Sequence, residues 1–122
     1  MYLGGGGGDE KMTLYVLNSL IVPINFHEYT EAKVTLKKLS VEDAKLYLKN
    51  WSFVSAVGHE GTAKVLSEIL DVDIPVNRAT VFFKKGDVGI HFFLKQRLPE
   101  GKVLSEEEPN KLDFWLVMSE VL

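Results

Sequence analysis

Apolar and polar positions along this chain switch repeatedly between two periods, and the switches predict a mixed order of strands and helices. Residues 13–17 (Thr, Leu, Tyr, Val, Leu) are strand formers and predict a buried first strand. Asn18 and Ser19 end it, and polar residues at the carboxyl end of a strand commonly touch ligands in α/β folds. Pro23 keeps the next residues out of regular structure, and His27 is expected on the surface of that loop. Residues 32–37 alternate and predict a half-exposed strand at or near a sheet edge. Ser40, Val41, Glu42 and Asp43 have the form of a capping box, with acids where a helix N-terminus is positive. Val41, Ala44 and Leu48 then line one face of a short helix running to about Lys49.

Residues 51–57 are aromatic and apolar and lead into Gly58 and His59. Ala63, Leu66 and Leu70 repeat at helical spacing, with Val65 and Ile69 alongside, and predict a second helix ending near Asp71. Pro75 breaks that pattern. Residues 77–85 read as a strand around Val81, Phe82 and Phe83, Gly86-Asp87 as a hairpin turn, and 88–94 as the return strand with His91 on one face. Residues 95–102 leave the pattern, and their Pro99 and Gly101 suit a loop that orders over a ligand. Ser105 to Glu108 begin like a helix that Pro109 cuts short, and 112–118 read as a last buried strand. The sum is one compact α/β domain over 12–122: a mixed sheet of about five strands with two main helices on one face. Residues 1–11, with five consecutive glycines, are expected to be a disordered tail.

Composition narrows the function. The chain has 122 residues, 46% of them hydrophobic and 25% charged, as in an ordinary globular domain. The absence of cysteine excludes a disulfide framework, thiol catalysis and thiolate zinc sites. No apolar run approaches the ~18–20 residues of a membrane span, and the N-terminal stretch does not read as a signal peptide, so a cytoplasmic location is expected. A net charge of −3 argues against a long nucleic acid as partner. The charge is uneven, however. Arg78, Lys84, Lys85, Lys95, Arg97 and Lys102 outweigh Asp87 and Glu100, whereas Glu106, Glu107, Glu108, Asp113 and Glu120 outweigh Lys111. A local basic zone on an acidic protein suits a small anionic ligand.

The stretch from Val54 to Ala63 organises the chemistry. His59 falls at the first turn of the second helix, where unpaired N–H groups and the helix dipole favour an anion. A histidine beside such a phosphate site is placed to give or take a proton. A histidine that only caps or packs is the other reading of the same residues.

Three stretches carry a resemblance. They are Ser55-Ala56-Val57-Gly58-His59-Glu60-Gly61-Thr62, Asn77-Arg78, and Gln96-Arg97-Leu98-Pro99-Glu100-Gly101-Lys102-Val103-Leu104. With the first strand ending in Asn18, they resemble the small viral anti-CRISPR ring nucleases of archaeal viruses. Related proteins occur in bacterial mobile elements and beside or fused to type III CRISPR effectors. The resemblance runs from about Leu14 to Glu106. It implies a metal-independent phosphodiesterase, without cofactor, that cuts cyclic tetra-adenylate and so silences type III CRISPR signalling. It also implies a homodimer with the ring bound across its axis and loops closing over it.

Carried over residue by residue, the resemblance puts the catalytic histidine on His59 and the loop arginine and glutamate on Arg97 and Glu100. A ligand-contacting arginine falls on Arg78 and the asparagine after the first strand on Asn18. Ser19, Gly58, Glu60, Gly61, Thr62 and Gln96 complete the expected binding set, with the backbone N–H groups of Glu60 to Thr62 cradling phosphate. The chain departs from the family pattern at Ile21, where a hydroxyl residue is frequent, at Gly61, often serine, and at Phe93, in place of a glutamine. The implied reaction is in-line attack by a ribose 2′-hydroxyl on the adjacent phosphorus, leaving linear di-adenylates with 2′,3′-cyclic phosphate ends. His59 would protonate the departing 5′-oxygen and Arg97 would neutralise the phosphate, while Glu100 would orient His59 or the 2′-hydroxyl or assist proton transfer. Apolar residues for a dimer interface are sought at Trp51, Phe53 or residues 112–118. Two other readings stay open: a protein that sequesters the cyclic nucleotide without cutting it, and a module that binds a protein through an exposed strand edge.

Overall fold

The strand-forming runs and helical repeats become seven elements in the computed structural model, which describes residues 12–95 and 113–122. They are β1 (Leu14–Leu17), β2 (Val34–Leu39), α1 (Val41–Asn50), β3 (Val54–Ala56), α2 (Glu60–Leu70), β4 (Val88–Leu94) and β5 (Phe114–Val121). The expected tail at 1–11, the loop of Gln96, Arg97 and Glu100, and the helix-like start at Ser105 lie outside the described residues.

The five strands form one sheet in the order β2-β5-β4-β1-β3. β1 pairs in parallel with both β3 and β4, and β5 pairs antiparallel with β4 and β2, so the sheet is mixed as expected. Side chains alternate across it. Leu14 and Val16 of β1 point to one face with Ile90, Phe92 and Leu116, where they meet Ala44 and Leu48 of α1 and Val65, Leu66 and Leu70 of α2. Both helices therefore cover the same face. The opposite face carries a smaller core of Leu17, Val121 and Phe83, with Val22, Ile24 and Val81 from loops packed against it.

Local chemistry sets the boundaries. The Ser40 hydroxyl accepts from the Asp43 N–H at 3.1 Å and starts α1, as its sequence indicates. α2 ends at Asp71, whose φ of 55° is left-handed. β2 lies at the sheet edge, as its alternation predicted, and most of its residues are exposed.

Two expectations are corrected. Residues 77–85 do not form a strand: their one strand-like pairing among the described residues is the isolated bridge of Phe83 with Ile24 in the loop after β1, and Val76, just before the stretch, bridges Val57 after β3. Their apolar residues were a packing signal: Phe83 inserts into the smaller core as part of a covering loop. Gly86-Asp87 is consequently not a hairpin turn. It is a tight turn closed by the Asp87 N–H on the Lys84 carbonyl at 2.9 Å, with Gly86 at φ 96°. The buried Asp87 carboxylate accepts from the Thr13 and Lys84 N–H groups at 3.0 and 2.9 Å, which ties the turn to the start of β1.

Candidate functional site at the carboxyl edge of the parallel strands

β1, β3 and β4 are adjacent and parallel, so their carboxyl ends share one edge of the sheet. Leu17 of β1 registers with Ala56 of β3. The residues that follow, Asn18-Ser19 on one strand and Val57-Gly58-His59 on the other, are therefore neighbours. Ligands in open α/β sheets bind outside the carboxyl ends of strands, and this edge gathers most of the described residues singled out in the sequence.

His59 is the N-cap of α2. Its Nδ1 lies 3.1 Å from the Thr62 N–H and 3.2 Å from the Thr62 hydroxyl. An amide N–H can only donate, so Nδ1 is the bare nitrogen and the neutral ring carries its proton on Nε2. The residue is exposed, and Nε2 is the edge turned away from the helix contact. The Thr62 N–H, expected among the phosphate donors, is here bonded to His59. The first-turn N–H groups of Glu60 and Gly61 have no intrahelical acceptor and remain as donors.

Arg78 joins the same corner. Its Nε donates to the Gly58 carbonyl at 2.9 Å, which leaves the two terminal nitrogens of the guanidinium for a ligand. A Cβ on Gly58 would stand 3.4 Å from Arg78 Cγ, so glycine permits this close approach. Sequence reasoning missed what holds the arginine. Asn77 donates its side-chain N–H to the Ser55 carbonyl at 2.6 Å and its backbone N–H to the Val57 carbonyl at 2.7 Å. The buried Ser55 hydroxyl donates to the Pro75 carbonyl at 2.6 Å. The segment carrying Arg78 is thus clamped to β3, and the only hint was a serine inside an apolar run.

Ser19 is fixed by its backbone. His91, fully buried, donates from Nδ1 to the Ser19 carbonyl at 2.9 Å, and its Nε2 accepts from the Ser119 hydroxyl at 2.8 Å. Burial holds its pKa below the usual histidine range, opposed by the Ser19 bond. Gly89 makes room for this network, since a Cβ there would lie 2.7 Å from His91 Nε2. Asn18, half-buried, lies just before Ser19.

Among the described residues, the basic positions read in the sequence do not form one patch. Lys84 pairs with Asp87 at 2.9 Å and Lys85 sits over the Tyr29 ring, both at the opposite end of β4. Lys95, just past β4, pairs with Asp113 at 3.3 Å and covers the Trp115 ring. Phe93 stacks on Trp115 with centroids 5.5 Å apart. Gln96, Arg97 and Glu100 lie outside the described residues.

Fold and corner together define a small α/β protein whose parallel strands deliver a helix-capping histidine and an anchored arginine to one edge. The chain belongs to the STIV B116-like family, which it matches over residues 14–116. It is 43% identical over 110 residues to "Uncharacterized protein 26" of Sulfolobus islandicus filamentous virus, covering 89% of this chain and 92% of the relative. It is 46% identical over 99 residues to "Uncharacterized protein ORF117" of Acidianus two-tailed virus, covering 80% and 82%. A bacterial relative, "Uncharacterized protein YddF" of Bacillus subtilis, is 29% identical over 105 residues, covering 84% and 92%. Among solved structures, B116 of Sulfolobus turreted icosahedral virus superposes with a TM-score of 0.73 at 24% identity, covering 88% of this chain and 98% of that one. That likeness speaks to the fold: an α/β domain with a five-stranded mixed sheet and two helices.

Proposed function

We propose that this protein is a metal-independent ring nuclease that cuts cyclic tetra-adenylate to linear di-adenylates and switches off type III CRISPR signalling in a host cytoplasm. The observation that carries the reading is the corner at Gly58: an exposed histidine with its proton on Nε2, a helix N-terminus and an anchored arginine converge there. The sequence resemblance and the relatives among archaeal viruses support the same reading.

In this reading the phosphate sits at the start of α2, against the N–H groups of Glu60 and Gly61 and the terminal nitrogens of Arg78. The ribose 2′-oxygen attacks phosphorus in line, and its proton passes to water or to the Glu100 carboxylate. The 5′-oxygen leaves with the electron pair of the broken P–O bond and takes a proton from Nε2 of the doubly protonated His59 ring, which is left neutral. Arg97 neutralises charge on the phosphate. No residue of the chain becomes covalently attached to substrate.

A four-fold ring presents the same groups to two subunits of a two-fold dimer, so the proposal includes a homodimer. The interface in this reading is the sheet face beside the site, where Leu20, Leu36, Phe93 and Trp115 are exposed. Leu20, Leu36 and Trp115 line a groove of about 330 Å³ together with Lys37, Lys38 and Val117. Of the residues singled out in the sequence, Trp115 fits this interface, whereas Phe53 packs against the main core.

Single-turnover cleavage by His59→Ala tests the assignment. Loss of the general acid lowers the rate by on the order of 10²–10⁴. Wild-type rates in the variant would remove His59 from the chemistry.

A further inference from the structure

His59 and Thr62 make two contacts of different chemistry. The Thr62 N–H, 3.1 Å from Nδ1, can only donate. The Thr62 hydroxyl, 3.2 Å from the same nitrogen, can donate or accept. The first contact fits only a ring whose Nδ1 is bare. The second also fits a ring with a proton on Nδ1. A histidine acting as an acid at moderate pH works from the imidazolium, which has protons on both nitrogens. In that state Nδ1–H and the Thr62 N–H oppose one another. Among the described contacts of the ring, only Thr62 Oγ1 can then accept.

We propose that Thr62 is a positioning residue: its hydroxyl accepts the Nδ1–H of doubly protonated His59 and holds the ring on the helix while Nε2 delivers its proton. This rests on the reading of His59 as the acid. The Nε2–H bond breaks and its proton joins the departing 5′-oxygen, which leaves phosphorus with its bonding electrons. The new bond to phosphorus comes from the 2′-oxygen, whose proton goes to water. The ring is left neutral with its proton on Nδ1, still bonded to Thr62 Oγ1. Gain of a solvent proton at Nε2 and loss of the one at Nδ1 restore the resting cap.

The surroundings suit the role. Thr62 is 7% exposed, so little water competes for its hydroxyl. A helical threonine can turn its own proton to a carbonyl three or four residues back. Of the charged groups among the described residues, Glu60 follows His59 on α2 and Arg78 is bonded to the Gly58 carbonyl, and substituting Thr62 alters neither.

Thr62→Val keeps the shape and the backbone N–H but removes the hydroxyl, and Thr62→Ser keeps the hydroxyl but removes the methyl. Nitrogen NMR of the His59 ring in the full ligand-free chain reads the first consequence. With the ring doubly protonated, the wild-type Nδ1–H shows the nitrogen and proton shifts of a hydrogen bond to the hydroxyl, which the valine variant lacks and the serine variant keeps. Single-turnover cleavage reads the second. Thr62→Val loses about tenfold to a hundredfold in rate, the scale of one charge-assisted hydrogen bond. Thr62→Ser recovers most of the rate. Equal behaviour of the two variants in both measurements, or a serine variant worse than the valine, would assign Thr62 to packing and overturn the proposal. If the wild type cuts no ring at all, the nuclease reading fails, and the NMR comparison still decides whether the hydroxyl carries the ring's second proton.

Discussion

Two histidines show how surroundings divide one side chain into two uses. His91 faces a carbonyl, so its proton sits on Nδ1; His59 faces an amide, so its proton sits on Nε2. His91 is sealed between Ser19 and Ser119, whereas His59 is exposed. Because burial lowers the folded pKa of His91, the unfolded chain takes up a proton before the folded one does as pH falls. The contribution of His91 is full above the unfolded value of about 6.5 and is lost as pH drops from there toward the lower folded value. One such proton gives a slope of at most about 1.4 kcal/mol per pH unit. Denaturant titrations across that window should show an acid limb that His91→Gln flattens, from a lower starting stability. An unchanged limb in the variant would contradict the burial argument. At this scale the sequence made the capping position of His59 legible, because a glycine-histidine corner before a helical repeat has few structural solutions, whereas Arg78 was singled out only through the family resemblance. It could not show that the Thr62 N–H is spent on the cap, since that depends on one rotamer.

The elements explain how the site is held. Ser40, its acids and the helical repeats were readable, and α1 and α2 form where those signals stand. Residues 77–85 were misread because strand-forming composition reports burial as much as pairing. Phe83 is buried without a ladder, and Ser55 and Asn77 provide the polar anchors that a ladder would have supplied. Asn77→Ala removes the side-chain bond to the Ser55 carbonyl. It should cost about 1 kcal/mol of stability, read by denaturant unfolding. With Arg78 loosened, affinity for cyclic tetra-adenylate should fall while the fold persists. Unchanged binding in a destabilised Asn77→Ala would show that the clamp serves the fold alone.

At the scale of the whole molecule, strand order makes the site. Placing β1 between β3 and β4 brings segments distant in sequence to one edge. Periodicity alone did not give that order, since it predicts strands but not their neighbours. Among the described residues, the same arrangement leaves the outer part of the second face uncovered toward β2, with Trp115 43% exposed. If a second copy covers it, Trp115→Glu should convert a dimer to a monomer in sedimentation and depress cleavage. A wild type that is monomeric yet fully active would place the site within one chain. The central claim is most directly tested by incubating the wild-type protein with labelled cyclic tetra-adenylate in EDTA and separating the products. Conversion to linear di-adenylates ending in 2′,3′-cyclic phosphate is the expected result. A ring that is bound but recovered intact would contradict the nuclease reading and make the protein a sequestering one.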